Sequence, residues 1–208
     1  MIELYTFGTP NGKKASIALE EMEIPYTVHV IDIMKDDQFD ADFLKISPNN
    51  KIPAIADAEA EVSLMESGAI LFYLATKVKR FIPPDPHLYW QCMEWLMWQM
   101  GGFGPMLGQA NHFLHFNPGK SDYAEKRYGD EARRLYGVLD THLADYEYVA
   151  GEYSIADMAI FPWAARWEWH GVDLHELPNL LRWYRAIAAR PAVQRGYSIP
   201  TPSDIPMP

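Results

Sequence analysis

At 208 residues, with 49% hydrophobic and 22% charged side chains, the chain is long enough for one or two folded domains and too apolar to be disordered. Its formal net charge of −10, with acidic excess in both halves and no basic stripe, argues against a nucleic-acid partner. No apolar run approaches the roughly 18 residues of a membrane span, the start Met1-Ile2-Glu3-Leu4 lacks the marks of a leader, and the lone Cys92 suits a reducing cytoplasm.

In chain order, residues 2–7 read as a strand ended by the Gly8-Thr9-Pro10-Asn11-Gly12 cluster. Ala15, Ala18, Leu19 and Met22 then recur at helical spacing over residues 14–23, before the breaker Pro25. A β-branched strand over 26–33 completes a β-α-β unit, which implies parallel pairing. A short helix over 40–46 stops at Ser47-Pro48-Asn49-Asn50. Residues 52–56 and 62–65 form a hairpin around an acidic turn, and a helix over 66–79 closes the half. The order β-α-β-(α)-β-β-α is thioredoxin-like. The proline-rich stretch 81–86 reads as a linker. Beyond it, apolar-periodic segments at 89–100, 123–146, 155–169 and 177–190 predict an all-α domain. The divisions are thus 1–80 (α/β), 81–86 (linker), 87–196 (all-helical) and 197–208, a proline-rich tail that is either loose or laid on the surface. Seven Trp and 12 Tyr, dense near 89–98 and 163–169, suit a helical core or an aromatic-lined cleft.

A thioredoxin-like unit raises the question of a C-x-x-C pair, but the turn Thr9-Pro10-Asn11-Gly12-Lys13 contains no cysteine. Any thiol chemistry must use a ligand's sulfur. A helix N-terminus offers unpaired N–H groups and partial positive charge, Thr9 a hydroxyl and Asn11 an amide. Together they could hold a thiolate, although the residues alone favour a plain turn with Asn11 capping the helix. Ile52-Pro53 is either a trans edge-strand proline or a cis bond that frees the Ile52 backbone to pair with an extended peptide. Glu66-Ser67 at a helix start could receive an amino-acid head, ammonium on Glu66 and carboxylate on Ser67, or be ordinary acidic decoration. Ser154-Ile155-Ala156-Asp157 reads as a structural capping box. His112 and His115 have an i, i+3 spacing without a companion carboxylate or thiolate, so no metal is expected.

With these features, the chain resembles the cytosolic glutathione transferases over essentially its whole length. Thr9-Pro10-Asn11-Gly12-Lys13, Ser47-Pro48-Asn49-Asn50-Lys51-Ile52-Pro53-Ala54-Ile55 and the run from Trp98-Gln99-Met100-Gly101-Gly102 to Gly108-Gln109 are similar to the bacterial nu class. The resemblance implies that Thr9 and Asn11 face the glutathione sulfur, Ile52 pairs with the cysteinyl backbone, and Glu66 and Ser67 hold the γ-glutamyl end. It further implies that Gln38 and Lys51 sit near the glycyl carboxylate and that Arg127, rather than Arg133 or Arg134, reaches bound glutathione. It implies a homodimer that takes two glutathiones or one glutathione disulfide per site and reduces small disulfides, with glutathione as co-substrate. The alternatives are conjugation or peroxide reduction on the same fold, or a non-catalytic glutathione-binding scaffold.

Overall fold

β1 (Ile2–Thr6) is followed by α1 (Pro10–Glu21), β2 (Tyr26–Val30), α2 (Ala41–Ile46), β3 (Ala54–Asp57), β4 (Val62–Met65) and α3 (Ser67–Val78) in the computed structural model, which describes Met1–Pro208. The strands form one four-stranded sheet in the order β2-β1-β3-β4. β1 and β2 are parallel, as the crossover helix requires, while β3 is antiparallel to both β1 and β4. This is the thioredoxin-like arrangement. Ile2 and Leu4 on β1, Ile55 on β3, and Leu71 and Leu74 on α3 are buried together with Ile17 and Leu19 of α1.

The helical part continues with α4 (Pro86–Trp98), α5 (Gly104–Ala110), α6 (Asp122–Leu143), α7 (Ile155–Ala164), α8 (Pro178–Ala188) and α9 (Pro191–Tyr197). The run 101–116, outside the segments marked by periodicity, is helical as well. Residues Gln99–Phe103 and Asn111–Phe116 form π-helical turns on either side of α5, so the chain stays helical through a stretch rich in glycine and proline. Pro105 stands directly after the first of these π-helical turns, where the regular i→i−4 hydrogen-bond ladder is already interrupted. No helix is long and apolar enough to cross a membrane.

The chain divides into two compact units, Met1–Ile82 with Ala189–Ile205, and Pro83–Ala188 with Pro206–Pro208. The sequence placed residues through 196 with the helices; in the structure α9 packs on α1 instead. Its backbone can come that close because residue 196 is glycine, where a Cβ would stand 2.5 Å from the Ile17 Cα. Ser16 Oγ donates to the Gly196 carbonyl at 2.7 Å, and Arg190 and Arg195 pair with Glu21 and Glu20. Lys13 lies over the Tyr197 ring and donates to the Tyr197 carbonyl and to Ser203 Oγ, which ties down part of the extended tail. With α9 on one side and the sheet and α3 on the others, α1 is buried from Gly12 to Leu19, lysines included.

In the helical unit, α7 is buried along its whole length. The capping box is present as read. Asp157 accepts from the Ser154 N–H at 3.0 Å and the Ser154 hydroxyl at 3.1 Å. It also accepts from the Val149 N–H at 3.1 Å and the Trp183 indole at 2.8 Å, which joins three segments of the core.

Candidate functional site

Sheet pairing brings the sequence candidates of the first unit to one end. Tyr5 near the end of β1 stands opposite Ala54 at the start of β3, and Ala54 stands opposite Met65 at the end of β4. The β1–α1 turn, Ile52-Pro53 and Glu66-Ser67 are therefore consecutive connections along one edge of neighbouring strands, whose spacing is about 4.8 Å. β2 runs parallel to β1, so the segment carrying Gln38 leaves the sheet at this same end.

At the first connection, Thr9 is the N-cap of α1 and Asn11 stands inside the first turn. This corrects the option of Asn11 as the cap. Thr9 Oγ1 accepts from the Gly12 N–H at 3.2 Å, so its own hydroxyl hydrogen remains to donate elsewhere. Glycine is required at residue 12, because a Cβ would stand 2.2 Å from the Phe7 carbonyl oxygen and 2.5 Å from Thr6 Oγ1. No acidic side chain occupies the first turn of α1, so the positive end of its dipole is uncompensated there.

At the second connection, Ile52-Pro53 is cis, the alternative the sequence left open. The strand begins at Ala54, two residues later than read, which leaves Ile52 outside the ladder. The preceding loop is fixed by Ser47 Oγ donating to the Lys51 carbonyl at 2.8 Å and by the Asn50 N–H on the Ser47 carbonyl, with Asn50 at φ 49°. Lys51 itself is exposed. Gln38 donates to Asp36 at 3.3 Å, and its Oε1 is buried with no hydrogen-bond partner.

The third connection holds Glu66 at φ 70° and ψ 113°, a backbone conformation costly for a side-chain-bearing residue, by about 1–3 kcal/mol. Such strain persists where the surroundings enforce it, commonly at ligand sites. Glu66 makes no side-chain cap on α3 and is exposed, whereas Ser67 is buried and lies 3.3 Å from Lys14 Nζ. Lys14 was missed by the sequence reading. Its signal was available: a lysine pair shortly after a helix N-terminus opposes the dipole unless something negative is provided for it.

Arg127 belongs to the helical unit, on α6, where it lines a cavity of about 540 Å³ with Met106, Tyr123, Tyr128, Glu131 and Arg134. Lys126 and Arg133 both pair with Asp130, and Arg134 pairs with Glu131. Arg127 makes no such pair, which separates it from Arg133 and Arg134 as a cation available to a ligand.

Other reactive groups are occupied elsewhere. Tyr5 stacks on His29 at 4.7 Å on the strand face opposite Leu4, and burial, with Glu3 nearby, raises its pKa. His115 stacks on Trp169 at 3.9 Å, and His112 meets Phe113 edge-on. Cys92 is fully buried in the helical unit, and desolvation raises its thiol pKa, so it stays protonated at neutral pH. Cys92→Ala is expected to keep thiol-dependent turnover within about twofold of wild type, since a buried thiol of this kind acts as packing. A folded Cys92→Ala protein with a large loss of turnover would mean that the chain contributes its own thiol.

Comparison with known proteins agrees with this architecture. The family model "Glutathione S-transferase, N-terminal domain" matches residues 9–77, and "Glutathione S-transferase, C-terminal domain" matches residues 102–191. The chain is 46% identical over 198 residues to the disulfide-bond oxidoreductase YfcG of Escherichia coli, covering 92% of each chain. It is 40% identical over 211 residues to YghU of the same organism, a protein with the same description, covering 94% of this chain and 73% of that one. Among solved structures, a glutathione transferase from Pseudomonas putida with one glutathione disulfide bound per subunit superposes with a TM-score of 0.90 at 43% identity, covering 96% and 91% of the two chains. A glutathione transferase from Burkholderia graminis with two glutathione molecules per subunit does so with a TM-score of 0.89 at 40% identity, covering 96% and 88%. With the two family models together spanning most of the sequence and the fold shared across these relatives, the chain belongs to the glutathione S-transferase family.

Proposed function

We propose that the protein is a glutathione-dependent disulfide reductase. One glutathione binds with its sulfur at the Thr9–Asn11 turn, its cysteinyl backbone on Ile52, its γ-glutamyl end on Glu66 and Ser67, and its glycyl carboxylate near Gln38 and Lys51. The Thr9 hydroxyl, the Asn11 amide and the α1 terminus lower the thiol pKa and raise the thiolate fraction. The thiolate attacks one sulfur of a small disulfide, forming a mixed disulfide and releasing the other sulfur as a thiolate, which takes up a proton. A second glutathione thiolate then attacks the glutathione sulfur of the mixed disulfide, giving glutathione disulfide and a second product thiol. The protein contributes orientation and electrostatics, while both electrons come from the two glutathiones.

The observation that carries this reading is a donor-rich helix start with no cysteine at the turn, in a chain whose one thiol is buried. The relatives described as disulfide-bond oxidoreductases and the neighbours solved with two glutathiones or glutathione disulfide support it. Conjugation would use the same thiolate against an electrophilic carbon, and peroxide reduction would use it against oxygen. Disulfide reduction is preferred because of those relatives. A homodimer in a reducing cytoplasm completes the proposal. Trp90 and Met97, 69% and 61% exposed and seven residues apart on α4, are the kind of apolar surface a second subunit covers.

Steady-state turnover of bis(2-hydroxyethyl) disulfide with glutathione tests the activity, and absence of turnover with tight glutathione binding would favour the scaffold reading. Calorimetric titration with glutathione disulfide should give one molecule per subunit. Arg127→Ala is expected to weaken that binding about tenfold or more, as loss of a charged hydrogen bond does. Unchanged affinity would remove Arg127 from the site.

A further inference from the structure

The extended tail is built around a lysine of the turn that the proposed reaction uses. Lys13, directly after Asn11 and Gly12, is 3% exposed although it carries an ammonium group. Burying such a group is costly unless acceptors receive its hydrogens, and the tail supplies them. Lys13 Nζ donates to the Tyr197 carbonyl and, at 2.6 Å, to Ser203 Oγ, and it stands 3.6 Å from the centre of the Tyr197 ring. The tail also closes on itself there. Ser203 Oγ donates to the Tyr197 carbonyl at 3.0 Å, and Ser198 Oγ donates to the Ser203 carbonyl at 3.2 Å. On the backbone side, the Lys13 N–H donates to the Thr9 carbonyl at 3.0 Å, and the Gly12 N–H donates to Thr9 Oγ1. Lys13 thus holds Thr9 with its main chain and the tail with its side chain. A methionine could fill the same space without desolvating a charge, so packing alone does not require a lysine here.

We propose that Lys13 is a positioning residue for the sulfur site, fastening the first turn of α1, and with it Thr9 and Asn11, to the tail loop of residues 197–203. This rests on the glutathione reading above and adds to its site a segment far away in the sequence. The first N–H groups of a helix have no partners within it, so an outside anchor decides how firmly the first turn is held. α9 holds α1 farther along, through Ser16 on Gly196 and the ion pairs of Glu20 and Glu21. Lys13 carries the anchorage into the first turn. Donors aimed at a reacting sulfur must be held closely, because a misplacement of about 1 Å can cost about a hundredfold in rate. Coupling of this kind is reciprocal, so glutathione bound at the turn should hold the tail loop more firmly in place.

The test uses the full-length protein with Lys13→Met, Ser203→Ala and the two combined. Three quantities are read in each: the rate of bis(2-hydroxyethyl) disulfide reduction by glutathione, the pH midpoint of thiolate absorbance in the glutathione complex, and hydrogen exchange of the tail-loop amides with and without glutathione. Lys13→Met should lower the rate about tenfold or more and raise the midpoint. Ser203→Ala, which leaves the Tyr197 carbonyl to Lys13, should lower the rate about threefold with a smaller rise in midpoint. It should add little in the Lys13→Met background, because both residues act through one link. Glutathione should slow exchange in the wild-type tail loop, and Lys13→Met should abolish that protection. Ser203 is exposed, so its variant decides the matter if Lys13→Met does not fold. Folded variants that keep the wild-type midpoint and tail protection, whatever happens to their stability, overturn the role of Lys13 and leave the glutathione reading intact. A wild-type midpoint at the free-thiol value overturns the thiolate reading, and this inference with it.

Discussion

The Thr9→Ala/Asn11→Ala double variant is expected to reduce small disulfides at about one hundredth of the wild-type rate or less, with each single variant losing about ten- to a hundredfold. A hydrogen bond to a charged group is worth about 1.5–3 kcal/mol, and each 1.36 kcal/mol of lost transition-state stabilisation is tenfold in rate. Neither substitution removes the α1 dipole, so activity falls without vanishing. The two residues differ in a second respect. Thr9 also caps α1 through the Gly12 N–H, so Thr9→Ala additionally costs about 1 kcal/mol of stability. Thr9→Ser retains both the cap and the donor and should restore both rate and stability. Glutathione affinity should change less than the rate, because Ile52, Glu66 and Ser67 hold the rest of the tripeptide. Steady-state rates alongside calorimetric affinities read the difference. Loss of affinity in proportion to rate would mean that the turn binds the ligand as a whole rather than activating its sulfur.

Asp157→Ala is expected to destabilise the protein by about 3–5 kcal/mol. The substitution removes the acceptor for the Val149 and Ser154 N–H groups and the Trp183 indole, and each buried donor left unpaired costs about 1–3 kcal/mol. For a chain of this size the melting temperature should fall by roughly 10 °C. The pH dependence adds a signature. Burial outweighs these hydrogen bonds and raises the Asp157 pKa from 3.8 to about 6. The protonated side chain is thus favoured by folding. That contribution to stability is fully present below the unfolded value and is lost as pH rises through about 6. The stability gap between wild type and Asp157→Ala should therefore narrow from pH 4 to pH 7, opposite in sign to the effect of Asp57, whose pKa is lowered mainly by its hydrogen bond from Tyr73. Denaturant midpoints of both proteins across that range measure it. A gap that widens with pH would mean that the hydrogen bonds outweigh burial at Asp157.

Features governed by local chemistry were legible in the sequence. The β-α-β unit, the hairpin, the closing helix and the Ser154–Asp157 box are written in alternation, spacing and cap residues, and they stand in the order read, with element ends displaced by up to four residues. Thr9, Ile52, Glu66 and Ser67 could be singled out because turns, prolines and helix starts mark themselves. What escaped depends on contacts distant in sequence. Gly101, Gly102, Gly104 and Pro105 look like breakers, yet packing carries the helix through them with π-helical turns. Arg190-Pro191 looks like an end, yet α9 forms and packs on α1 because Gly196 and Ser16 let the two backbones approach. Lys14 escaped for the same reason. The apolar spacing of Ala15, Ala18, Leu19 and Met22 shows one buried face of α1, whereas the structure buries the helix on all sides.

The central claim is that the turn at Thr9 and Asn11 stabilises the thiolate of bound glutathione. The direct measurement is the ultraviolet absorbance of that thiolate as a function of pH, with the protein saturated by glutathione, in wild type and in the double variant. The midpoint in the wild-type complex should lie at least about one unit below the value near 8.5 of a free thiol, and it should rise in the Thr9→Ala/Asn11→Ala complex. A midpoint at the free-thiol value in wild type, or one that the double substitution does not move, would contradict the account.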